Sequence, residues 1–90
     1  MPYKDRKITT AAEPDHPSLG LEEAFILGSN VERMRKQEGY TKVQLCLAAG
    51  ISRPLLNLIE KGHPNVRLSD IRKLADALNT TIVDLLTPCI

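Results

Sequence analysis

The 90-residue chain has no tryptophan and little aromatic character of any kind: Tyr3, Phe25 and Tyr40 are all it holds. An aromatic core is excluded, so leucine, isoleucine and valine must fill the interior. Cysteine is nearly as scarce. Cys46 and Cys89 are the only two and form no CxxC pair, which excludes a disulfide framework and a thiolate metal centre. His16 and His63 are the only histidines. Each lies beside a proline, far from the other and from any ligand-spaced set, so neither a metal site nor a general base is expected. No glycine-rich phosphate loop or nucleophile motif is present. Together these absences predict a protein that is not an enzyme and takes no cofactor. No apolar run approaches the roughly 18–20 residues of a membrane span or leader. The expectation is a cytoplasmic chain with both thiols reduced.

What is present is an ordinary globular balance, 42% hydrophobic and 26% charged with a net charge of +1. The charge is uneven. Residues 1–27 carry three basic and five acidic side chains, and residues 28–90 carry nine and six. A basic excess in the larger part suits a polyanionic partner without requiring one. At this length one domain is the upper limit, and dimerisation would help a small core.

Residues 1–18 stand apart. They hold three of the six prolines and no helical period. They are expected to form an arm ordered only by a partner, with Lys7–Ala11 a possible short strand. Residues 19–90 form the domain. There the pattern is helical, with Leu21, Phe25, Gly28, Val31 and Met34 recurring every three or four residues and Ala24 and Leu27 beside them. This predicts a first helix over roughly 20–38, stopped by Gly39. Thr41-x-x-Gln44 is a capping-box pattern opening a second helix that Gly50 ends. Ser52 caps a third over 53–61, with Pro54 in the tolerant first turn, Leu56 and Ile59 inward and Gly62 at the end. Ser69 is the expected cap of a fourth, with Ile71, Leu74, Ala75 and Leu78 as its stripe. Asn79 suits a left-handed C-terminal position. Thr81-x-x-Asp84 opens a short last helix with Ile82, Leu85 and Leu86 inward, stopped by Pro88. The fold class is all-α, five short helices joined by short connections.

The second and third helices, joined at Gly50, make a helix-turn-helix. That motif needs small residues where the helices touch, glycine at the turn and apolar anchors beneath the second helix. Leu45, Cys46, Gly50, Ile51, Leu56 and Ile59 supply them. Three pieces, "LGSNVERMRKQEGYTKVQLC", "AAGISRPLLNLIEKG" and "LSDIRKLADALNTTIVDLL", resemble the Cro/repressor-type helix-turn-helix family over residues 27–86. The resemblance implies a compact lambda-repressor-like domain that binds double-stranded DNA as a homodimer and regulates transcription, in the first instance as a repressor. It implies that Ser52, Arg53, Pro54, Asn57, Leu58 and Lys61 face DNA. Lys42 and Gln44 match a phosphate clamp, and Asn65 and Arg67 match a backbone-contacting loop. Arg35 and Glu60 match a structural ion pair. The sequence departs from the family at Pro54 and Leu58, where polar residues are usual. Leu58 suits a thymine methyl group; alternatively Leu55 and Leu58 belong to a protein-docking patch. Two competing readings follow. One is an antitoxin-type autorepressor that binds a toxin through residues 1–18. The other is a protein-interaction module on a helix-turn-helix scaffold.

Overall fold

A computed structural model describes residues 19–89. They form five α-helices and, among the described residues, no strand: α1 Leu21–Gln37, α2 Lys42–Ala49, α3 Arg53–Glu60, α4 Leu68–Ala77 and α5 Ile82–Leu85. No helix among them is long and apolar enough to cross a membrane. The expected strand at Lys7–Ala11 and the arm at 1–18 lie outside the described residues.

Each helix starts and stops for local reasons. Thr41 Oγ1 accepts from Gln44 N at 3.1 Å and Gln44 Oε1 accepts from Thr41 N at 2.8 Å, the reciprocal capping box read from the sequence. Gly50 ends α2 at φ 75°, a left-handed conformation that a β-carbon disfavours. Ser52 Oγ accepts from Leu55 N at 3.2 Å, and Pro54 occupies the first turn of α3. Asn79 adopts φ 58° after α4, as expected.

Three expectations are corrected. The buried face of α1 is Ala24, Leu27, Gly28, Asn30, Val31 and Arg35. Leu21 and Phe25 are 75% and 68% exposed. Gly28 and Val31 of the expected stripe are buried together with the flanking Ala24 and Leu27, so the inward face is turned from the expected one by less than one residue, toward Leu27 and Asn30. Ser69 does not cap α4, because the helix starts earlier. Arg67 is the cap residue, and Asp70 Oδ2 accepts from its backbone N at 3.4 Å. Thr81 caps α5 through Asp84 N at 3.0 Å, but Asp84 turns its carboxylate to the Thr80 hydroxyl instead of completing a reciprocal box.

The core is aliphatic, as the aromatic scarcity requires. Leu45 of α2, Leu56 and Ile59 of α3, Ile71 and Leu74 of α4 and Leu85 of α5 meet Leu27 and Val31 of α1 there. Burying one such side chain contributes about 1.5–3 kcal/mol. Two features of α1 tie this core to the ends of the other helices. Gly28 lies against the backbone of α3, where a β-carbon would collide with the Ile59 carbonyl oxygen. Asn30 is 1% exposed, and its amide nitrogen donates to the Leu85 and Thr87 carbonyls at 2.8 Å each. Its Oδ1 accepts from Arg33 Nη2 at 2.9 Å. One buried side chain thus satisfies carbonyls left open at the end of α5.

Candidate nucleic-acid interface

The α3 helix is the centre of the site because its two faces differ so sharply. Leu56 and Ile59 are buried, whereas Arg53, Pro54, Leu58 and Lys61 are exposed and Asn57 is half-buried. Residues 53, 54, 57, 58 and 61 recur at the spacing that places side chains on one helical face. That face is polar and positive at both ends, with Leu58, 42% exposed, between them. Leu55 is half-buried against the core, so of the two leucines suggested for a docking patch only Leu58 is free.

The orientation of α3 is fixed from α1. Arg35 Nε donates to Glu60 Oε2 at 2.8 Å and its Nη2 donates to Glu60 Oε1 at 3.3 Å. Arg35 Nη1 donates to the Tyr40 carbonyl at 3.1 Å. The two side chains are 9% and 6% exposed. The forked geometry specifies direction as well as distance. The bond to Glu60 holds the Arg35 guanidinium charged, raising its pKa above the ordinary value. Because the pair neutralises itself, the outer face keeps the charge of Arg53 and Lys61.

The start of α2 adjoins this face. Lys42 Nζ donates to Asn57 Oδ1 at 3.0 Å, which brings two of the sequence-predicted site residues together. Gln44 commits its oxygen to the helix cap, leaving its amide nitrogen as the remaining donor. Ser52 likewise commits a lone pair to the cap and keeps its hydroxyl proton. Asn65 and Arg67 are exposed in the connection between α3 and α4. The Asn65 backbone N donates to His63 Nδ1 at 3.2 Å, which gives the exposed histidine a local role in shaping that loop.

Cys46 sits beneath the turn and is 8% exposed. Burial pushes its thiol above the ordinary range, opposed by the nearby Arg53 charge. A protonated, enclosed thiol packs as a small apolar residue. Sequence reasoning missed Asn30 and the close approach at Gly28. Asn30 had a visible signal, because it falls among Leu27, Val31 and Met34 on the inward side of α1 and so had to find partners inside.

The helix-turn-helix family model (HTH_3) matches residues 31–85. The uncharacterized HTH-type transcriptional regulator y4dJ of Sinorhizobium fredii is 33% identical over 63 residues, 70% of this chain and 82% of that protein. Among solved structures, the restriction-modification controller protein C.AhdI from Aeromonas hydrophila superposes with a TM-score of 0.65 at 29% identity. That likeness covers 69% of this chain and 94% of the controller. SinR, the master regulator for biofilm formation, solved in complex with DNA, gives a TM-score of 0.64 at 26% identity, covering 68% of this chain and 98% of the SinR chain in that complex. The chain belongs to the helix-turn-helix family of DNA-binding transcriptional regulators, which are not enzymes.

Proposed function

We propose that the protein is a sequence-specific repressor that binds its operator as a homodimer with α3 in the major groove. The exposed face of α3 carries this reading: Arg53, Pro54, Asn57, Leu58 and Lys61 project from a helix whose other side is locked by Leu56, Ile59 and the Arg35–Glu60 pair. Arg53 has the fork geometry for guanine, and Leu58 offers an apolar contact to a thymine methyl. Lys42, Gln44, Ser52, Asn65 and Arg67 flank the helix as phosphate donors, which set register without reading sequence. Exposed Val83, half-buried Ile82 and residues 87–90 supply the dimer contact, and residues 1–18 a second contact to the partner copy or another protein. Two copies then address half-sites about 34–36 Å apart.

Selection of bound duplex from a random pool by the full-length protein, with sedimentation of the complex, tests this. A two-fold related site occupied by two copies is expected, with affinity falling steeply as salt rises. Failure to enrich any duplex at low salt would overturn the groove reading. A single copy on a single half-site would overturn the dimer. A protein-docking reading gains weight from exposed Val43, Leu47 and Leu58, which are 49%, 79% and 42% exposed. Binding to DNA that is insensitive to Arg53→Ala and Lys61→Ala would favour it.

A further inference from the structure

Lys42 and Asn57 come from different helices, yet their side chains meet at 3.0 Å. An ammonium carries three donors and no acceptor, so only the oxygen end of the Asn57 amide can face it. The bond is charge-assisted and correspondingly strong. It distinguishes the two ends of the amide before any ligand arrives. Oδ1 is turned to Lys42, and Nδ2, with two N–H groups and no protein acceptor among the described residues, is the end left to meet a partner.

This matters for base selection. An unrestrained asparagine recognises adenine by accepting from N6 with its oxygen while donating to N7 with its nitrogen. Here one of the two Oδ1 lone pairs is engaged, and an adenine amino group approaching the other would lie beside a cation, donor beside donor. Guanine presents two acceptors, O6 and N7, on the same edge. Lys42 Nζ and Asn57 Nδ2 offer donors to both, while the one acceptor site left on Oδ1 lies beside the ammonium.

Resting on the reading that α3 enters the major groove, we propose that Lys42 is a positioning residue for base selection: by fixing the Asn57 amide it makes the pair select guanine over adenine. Lys42 is thereby more than a phosphate clamp, and its loss changes which sequence is preferred as well as how tightly DNA is held.

The test repeats the random-pool selection with Asn57→Ala, Lys42→Met and Lys42→Gln in the full-length protein. Asn57→Ala marks the base pair that Asn57 reads. Guanine is expected there in the wild-type selection, and Lys42→Met should erode that preference by roughly tenfold while leaving other positions unchanged. Lys42→Gln retains a neutral donor to Oδ1. It should keep most of the preference while lowering the salt slope by about one. Circular dichroism verifies that each variant is folded. Adenine at that base pair overturns the proposal. So does Lys42→Met with intact preference, or Asn57→Ala with no change at any position. If the wild type enriches no duplex, the groove reading falls and takes this proposal with it; if it enriches one and any of these three outcomes follows, only the proposal falls.

Discussion

Replacing Gly28 with alanine sets two opposed effects against each other. In the interior of a helix, alanine is favoured over glycine by about 1 kcal/mol. By helix propensity alone the substitution should stabilise α1. The packing argues the reverse. A β-carbon at position 28 would fall inside the contact distance of the Ile59 carbonyl oxygen, and would sit 3.2 Å from the Glu60 carbonyl oxygen and 3.3 Å from its carbon. All three atoms are backbone, so no side-chain rotation relieves the contact, and α3 must move as a unit. Overpacking of this kind costs about 1–3 kcal/mol. Backbone yields less than a side chain, so the upper part of that range applies, about 2–3 kcal/mol, and a net loss of about 1–2 kcal/mol is expected once the propensity gain is subtracted. For a domain this small that lowers Tm by roughly 5–15 °C. Urea titration measures the loss directly, with Ser29→Ala, on an exposed position of the same helix, as the control for propensity. The displacement also moves Ile59 and Glu60, and with them the outer face of α3. Affinity for a selected duplex should therefore fall even at temperatures where the variant is fully folded. An alanine variant at 28 that is as stable as the parent, or gains the full propensity increment, would refute the close-approach reasoning.

Four further outcomes follow from the same contacts. Arg35→Met should cost about 3–5 kcal/mol by leaving Glu60 buried and uncompensated, and the Arg35→Met/Glu60→Leu double variant should recover much of it; denaturant midpoints decide, and a single-variant loss near zero would rule out a structural role. Asn30→Asp would place a carboxylate against the Leu85 and Thr87 carbonyls. Its pKa should rise in the folded state, so the variant should gain stability relative to wild type as pH falls from 7 towards 4, where the acid is protonated and donates; melting curves across that range check the sign. Cys46, buried and with a raised pKa, should react with a thiol reagent far more slowly than exposed Cys89 at neutral pH and converge with it in denaturant; equal rates in the native state would contradict the enclosure. Arg67→Ala should weaken binding to all duplexes about equally and lower the salt slope by about one, whereas Arg53→Ala should relax preference at one base pair at a cost of about 1–3 kcal/mol. Parallel binding isotherms on selected and scrambled duplexes separate the two.

The parts of the fold that could be read in the sequence are those decided within a few residues. Thr41 and Gln44 cap each other, Ser52 caps Leu55, and Gly50 and Asn79 take left-handed conformations, because each choice depends on chain neighbours alone. The misread elements depend on distant partners. Along α1 two adjacent apolar stripes compete. One adds Leu21 and Phe25 to Gly28 and Val31, and the other adds Ala24 and Leu27 to the same two residues. Periodicity accepts either; the position of α3 and α5 selects the second. The early start of α4 has a local origin that a favoured serine at 69 obscured, since Asp70 reaches back to Arg67. At the site, the family resemblance singled out residues 53, 54, 57, 58 and 61, and the helix puts them on one face. The Lys42–Asn57 bond joins residues fifteen apart, from two helices whose crossing only the folded core determines.

The Asn30 contacts also bear on how the molecule assembles. A four-residue helix cannot persist in water by itself, since nucleation is costly and few bonds repay it. Beside the burial of Leu85, α5 is held by a side chain 55 residues earlier, through a bond that closes most of the described chain into a loop. Such a contact contributes nothing until the intervening helices are in place. The C-terminal segment is therefore expected to dock late, and its amides should exchange with solvent through an opening cheaper than global unfolding. A repressor that uses this segment for dimer contact would gain or lose its partner surface without melting the helix that meets DNA.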